Sequence, residues 1–309
     1  MRKFLVNILI FIVFGYFIGE FSIRVLKLGI NIPEMYQDTN GLIKNFPNQT
    51  GYYLNGNKWS VNKFGEFGYE PKSLDSLITV IGDSFIENIM NPNECDQAYL
   101  LSMRTNSYNF YPSARSGANL IEFMEMTKSL THLNPVKQIL YVHDSDFSNS
   151  IREIKHENKT FQWSIRSNNI SYPQFLENKI KKVLYNFQFM YYIYRNYIIS
   201  NENSSKIKID DNKLNIDYNK IQKLLDFINK TYITDNIIIV FSPNSDKGLI
   251  EMVMKNNFQT IILKTDDIKT WEFPNDSHWT CFGHEEVAKQ VSHGLKLKLT
   301  ESNYKNSPY

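Results

Sequence analysis

Ser84 stands in Gly82-Asp83-Ser84-Phe85, and His278 stands in Asp276-Ser277-His278-Trp279 near the other end of the chain. A serine hydroxyl becomes a nucleophile when an imidazole nitrogen takes its proton. The imidazole does this best when a carboxylate holds its other nitrogen. Asp276 lies two residues before His278, so in an extended segment its carboxylate can accept from Nδ1–H and leave Nε2 free. Each group alone has an ordinary reading. Gly-Asp-Ser can be a turn that closes on a helix N-cap. A lone histidine is usually a structural hydrogen-bond partner, and that default stands for His132, His143, His156, His284 and His293. His278 differs in having both a near carboxylate and a matching serine.

The elements around these residues form a repeating pattern. Ile78 to Ile81 is apolar and β-branched and reads as a buried strand. Phe85, Ile86, Ile89 and Met90 then recur at helical spacing, so Ser84 sits where a strand turns into a helix. There its own N–H can face an oxyanion. Tyr108 to Tyr111 is a second strand, followed by a loop through Ser116 and Gly117 and a helix carrying Leu120, Phe123, Met124 and Met126. A glycine in such a loop can present its N–H unobstructed. Gln138 to Val142 is a third strand and ends in His143-Asp144-Ser145-Asp146, where open α/β sheets bind ligands. Ile237 to Phe241 and Thr260 to Leu263 complete the series. Strands separated by helical stretches predict an α/β domain over 58–309, with a central parallel sheet and helices on both faces. A helical insertion is expected at about 151–235. Its aromatic run from Ile180 to Ile199 would be a helix packed on the domain or a lid over the site. Residues 200–216 read as a polar loop, and a helix with Ile221, Leu224, Leu225 and Ile228 on one face follows from Tyr218.

Residues 1–28 have another character. Met1-Arg2-Lys3 precedes sixteen uncharged residues, Phe4 to Gly19, and Phe21 and Ile23 extend the run if Glu20 sits at an interface. We read the segment as a membrane anchor with a cytoplasmic N-terminus, which leaves the domain outside the cytoplasm. A cleaved signal peptide is the rival reading, although no A-x-A-like site is present. A buried core helix is the third. Residues 29–57 read as a connector rich in Asn, Gly, Pro and Tyr. The net charge of +2 belongs to the N-terminus: without residues 1–28 the chain holds 30 basic and 31 acidic residues. That balance, with no basic stripe, excludes a nucleic-acid partner from the reading. A 42% hydrophobic content with 19 Tyr and 21 Phe excludes a disordered chain.

These blocks, in this order, resemble the SGNH (GDSL-like) hydrolase and esterase superfamily over about residues 58–295. Gly82-Asp83-Ser84-Phe85 is similar to its first block and Ser116-Gly117 to its second. Asp276-Ser277-His278-Trp279 with Gly283-His284 is similar to its last. The resemblance implies a three-layer, flavodoxin-like α/β sandwich. It implies Ser84 as nucleophile, His278 as general base and Asp276 as its orienter, with the N–H groups of Ser84 and Gly117 in the oxyanion hole. There are two departures. The family's third block commonly supplies an oxyanion-binding Asn, where this chain has Ser145; a hydroxyl donates from a shorter arm, and Asn149 is the other compensating candidate. Many relatives space the acid as Asp-x-x-His, which would put Asn275 at that position. The Asp-x-His seen here resembles variants associated with bacterial surface-polysaccharide acetylation.

The expected activity is therefore that of a serine esterase or O-acyltransferase acting on an acylated glycan or small ester, with no cofactor and no metal. Ser145 in place of Asn leaves a second reading open, a catalytically silent domain that binds glycan or partner proteins. Two readings also remain for the cysteines. If Ser84 and His278 meet, Cys95 and Cys281 come near each other and can pair in an oxidising compartment; otherwise they are unrelated buried thiols.

Overall fold

The computed structural model describes residues 2–53, 56–175, 186–194, 196, 216–274 and 276–305. The chain begins with α1 (Arg2–Val25), long and apolar enough to cross a membrane. Its apolar window is unburied, which rules out the core-helix reading. Two antiparallel pairs follow, β1 (Met35–Gln37) with β2 (Ile43–Asn45) and β3 (Thr50–Tyr52) with β4 (Lys58–Ser60). The expected connector is thus folded in its described part. Trp59 anchors it: the ring is buried against Phe67, and the indole N–H donates to the Asn31 carbonyl at 3.1 Å.

The α/β series starts at β5 (Leu77–Gly82), buried along its whole length. It passes through α2 (Ser84–Glu87) and α3 (Gln97–Arg104) to β6 (Asn109–Ala114) and α4 (Leu120–Leu130). Next come β7 (Lys137–Val142) and α5 (Asp144–Asn149). After the insertion, α7 (Tyr218–Thr231), β10 (Ile237–Phe241), α8 (Lys247–Lys255) and β11 (Gln259–Ile262) continue the pattern. The hairpin β12 (Glu272–Phe273) and β13 (Asp276–Trp279) leads into α9 (Cys281–Lys305). Within the insertion lie the two-stranded β8 (Gln162–Trp163) and β9 (Ile170–Ser171) and the short helix α6 (Gln188–Ile193).

Five strands form one parallel sheet in the order β11-β10-β7-β5-β6. Winding runs one way from β5 to β6 and the other way from β7 onward, so the direction reverses between β5 and β7. A crevice opens at such a reversal, at the carboxyl ends of the strands. Residue alternation builds the two outer layers. Ile81, Leu140, Ile239 and Phe241 face α4, α7 and α8 in one core; Val80, Ile139, Tyr141 and Val240 face α3 and α9 in the other. The architecture is the parallel sheet with helices on both faces predicted from the strand–helix rhythm, and the three-layer sandwich that the resemblance implies.

Three expectations change in detail. The helix after Ser84 stops at Glu87 rather than reaching Met90, because Asn88 turns into the left-handed region at φ 50°. Residues 151–175 carry the β8–β9 pair instead of a helix, since Gln162 and Trp163 are buried in strand geometry. Of the aromatic run at 180–199, only 186–194 and 196 are described, and α6 packs on α1. The polar loop at 200–215 and Asn275 lie outside the described residues.

The buried carboxyl of Glu66 connects the fold to pH. Burial pushes it up to about 7, against the pull of Lys44 and of the Ser113 hydroxyl, which donates to it at 3.1 Å. Unfolded, the group loses its proton near the ordinary value; folded, it holds the proton to about 7. Stability therefore falls as pH rises through that window, by about 3 kcal/mol in total. We expect Glu66→Gln to raise Tm by several degrees at pH 8 and to change it little at pH 5, read from melts at both values.

Candidate active site

β5 delivers Ser84 to the crevice. Gly82 ends the strand because a Cβ there would overlap the Ile86 side chain as the chain turns. Asp83 caps the turn: its carboxylate accepts from the Phe85 N–H at 3.0 Å. Ser84 is then the first residue of α2, with its hydroxyl directed at the last hairpin. The β12–β13 hairpin supplies the other half, its strands paired at Glu272 with Trp279 and at Phe273 with Asp276.

Ser84 Oγ and His278 Nε2 lie 2.8 Å apart across 194 residues of sequence. On the other side of the ring, Asp276 Oδ1 contacts His278 Nδ1 and also accepts the His278 backbone N–H at 3.0 Å. One carboxylate oxygen thereby fixes both the tautomer and the ring, with Nδ1 donating and Nε2 accepting from the serine. Partial burial pulls the Asp276 carboxyl upward, but the bonds from His278 prevail and hold it below the usual carboxylate range. Phe85 stacks on the imidazole at 4.8 Å between centroids and meets Trp279 edge-on at 5.0 Å, which sets the ring's plane.

Two further ties hold the hairpin in place. Cys95 and Cys281 form a disulfide with Cα atoms 5.1 Å apart, joining the segment before α3 to the first residue of α9. Of the two readings left open for the cysteines, the structure takes the pair. The Asn91 amide donates to the Trp279 carbonyl at 2.9 Å, a bond made just beyond α2. His284, in contrast, is buried away from the serine. Its Nδ1 accepts from Gln97 at 3.1 Å, and burial pushes its pKa down to about 3, so the ring is a neutral structural group.

The loop carrying Gly117 is held from both sides. Gly117 takes φ 76° with open space beside it, a conformation natural to glycine. Glu87, at the end of α2, accepts from the Ser116 N–H at 3.1 Å and contacts its hydroxyl. Arg115 pairs with the buried Glu122 and donates to the Ser116 carbonyl at 2.8 Å. Ser145 stands in the first turn of α5 and lines a cavity of about 290 Å³ with Phe85, His143, Glu272 and Trp279. Asn149 lies at the other end of that helix, where its carbonyl accepts from Asn119 and Gln162.

Sequence reasoning placed Phe85 in the first block and His143 at the end of the third strand but gave neither of them, nor Glu87, a part in the site. His143 had the structural default, yet its ring lies 4.2 Å from Phe85 and its backbone N–H donates to the Asp146 carboxyl at 2.7 Å. Burial pushes the His143 ring down toward its neutral form. Burial also raises Asp83 and Asp146, and their mutual repulsion adds to the rise in Asp146, so the floor of the site resists carrying two carboxylate charges. The available signal was the acidic cluster at the end of β7. Among the described residues no cluster of His, Cys, Asp and Glu is spaced to hold a metal ion.

Comparison with family models and with curated proteins finds no match. Solved structures give remote likenesses. The crystal structure of TesA is 9% identical with a TM-score of 0.39, covering 71% of this chain and 98% of that one. A member of the lipolytic protein G-D-S-L family from Veillonella parvula DSM 2008 is 11% identical with a TM-score of 0.36, covering 70% and 96%. At identities and scores this low, the fold rests on the chain's own sheet order and site geometry.

Two outcomes are expected. Glu87→Ala removes the oxygen that accepts twice from Ser116 and frees the Ser116–Gly117 loop; amide exchange at Ser116 and Gly117 should speed up about 10–100-fold by hydrogen-exchange mass spectrometry. Opening the disulfide releases a loop of 186 residues. Reductant, or Cys95→Ser with Cys281→Ser, should cost about 3 kcal/mol and lower Tm by roughly 10 °C in a thermal melt.

Proposed function

We propose that the chain is a serine esterase or O-acyltransferase that acts on ester bonds through Ser84, His278 and Asp276. The observation that carries this reading is the 2.8 Å approach of His278 Nε2 to Ser84 Oγ, with Asp276 on the opposite ring nitrogen. Nε2 takes the hydroxyl proton as Oγ attacks the ester carbonyl. The carbonyl oxygen becomes an oxyanion, for which the N–H groups of Ser84 and Gly117 and the Ser145 hydroxyl are the proposed donors. As the tetrahedral species collapses, the imidazolium returns the proton to the leaving alcohol and the acyl group stays on Ser84. Water or a second hydroxyl, deprotonated by the same Nε2, then takes the acyl group and restores the serine.

The proposed setting is the outer side of a membrane, with α1 as a single-pass anchor and acetyl groups of envelope glycans as the acyl esters. The resemblance in the Asp-x-His block and the apolar α1 support it. The disulfide supports it as well, because such bonds persist in oxidising compartments. Ser145 at the third oxyanion position favours the second reading, a silent glycan- or partner-binding domain.

A fluorophosphonate probe and a p-nitrophenyl acetate assay on the detergent-solubilised full chain separate the two. The esterase reading expects labelling and turnover that Ser84→Ala abolishes, and a fall in kcat of about 10²–10⁴-fold in Asp276→Asn. Neither labelling nor turnover in the wild-type chain would leave the binding domain standing.

A further inference from the structure

Glu20 is the one charged residue inside the apolar run, and within α1 its ion-pair partner is Arg24. The structure supplies more. Glu20 Oε2 accepts the Phe189 N–H at 2.8 Å, and Oε1 accepts the Gln188 N–H at 3.2 Å as well as Arg24 Nε at 2.7 Å. Arg24 also donates to the Asn186 carbonyl at 2.8 Å. The aromatic insertion is therefore bonded to the end of the apolar helix by its backbone. Its rings follow: Phe187 and Phe189 lie 6.2 and 6.0 Å from the Tyr16 ring, and Phe189 covers Gly19.

The depth of this contact can be reckoned. Phe4 to Gly19 is sixteen residues, about 24 Å of helix, against a hydrocarbon core about 30 Å thick. Glu20 thus falls at the outer edge of that core, where a charge needs partners. Tyr16 lies one turn deeper, roughly 6 Å. An element bonded to Glu20 and meeting Tyr16 edge-on sits at the edge of the hydrocarbon, where aromatic residues concentrate. Its free face suits that place: Phe187, Met190, Ile193 and Tyr194 are all exposed.

We propose that α6 is an interfacial membrane contact, docked on the base of α1 with Phe187, Met190 and Ile193 in the lipid, so that the catalytic domain is held to the bilayer at two places. The proposal rests on α1 being a membrane span. It assigns the insertion a lipid surface as partner rather than the role of a lid over Ser84. Two tethers also restrict how the domain can tilt, which keeps the crevice at a set height above the membrane.

The test uses the full chain reconstituted in phosphatidylcholine vesicles, with bimane on single introduced cysteines. The native cysteines are paired, so each added thiol labels alone. Labels go at Met190→Cys and Phe187→Cys, at Phe11→Cys in the middle of α1, and at the exposed positions Met103→Cys and Met254→Cys on α3 and α8. Vesicles carrying brominated acyl chains are the quencher. We expect emission to fall about two-fold at positions 11, 187 and 190 and to stay unchanged at 103 and 254. Quenching at 11 without quenching at 187 and 190 overturns the proposal and leaves the anchor intact. No quenching at 11 overturns the anchor reading and this proposal with it.

Discussion

The bond between Ser84 Oγ and His278 Nε2 is a single 2.8 Å contact, and most of the domain's unusual features serve to hold it. Its two ends come from segments that share no strand. A carbonyl, a disulfide and an aromatic stack each tie the β12–β13 hairpin to the region just after β5. The reason is mechanical. A two-residue strand such as β12 has too few ladder bonds to fix a ring by itself, so covalent and packing restraints replace them. The parallel sheet contributes the rigid base and the reversal point at which the crevice opens.

Electrostatics around the serine follow from burial. Asp83 and Asp146 resist ionisation, and His143 resists protonation, so the interior floor stays close to neutral. Asp276, on the solvent side, keeps its charge. Negative charge is thereby concentrated beside the His278 ring.

The N-terminal helix α1 has surroundings unlike those of the α/β domain. Side chains of α1 stand exposed because their partner is lipid in the proposed setting, and the single acid in that helix is satisfied by the backbone of α6. An aromatic segment that looked like a possible cover for the site packs on α1. The choice between these places depended on where two backbone N–H groups found an acceptor, a quantity no hydropathy pattern contains.

Local pattern was enough for the sheet. Strand segments such as Ile237 to Phe241 are short apolar runs bounded by polar breaks, and alternation along them already divides the two cores. Ser84, Asp276 and His278 were legible as chemistry because their types and spacing are unusual. The stop at Asn88, the β8–β9 pair and the support from Glu87, Phe85 and His143 were not. Each of these depends on a neighbour distant in sequence, or on one residue adopting a left-handed backbone. Periodicity reports only which face of an element avoids water. Which faces meet, and whether two thiols nearly two hundred residues apart become one bond, is decided by packing in three dimensions, where distance along the chain no longer measures distance in space.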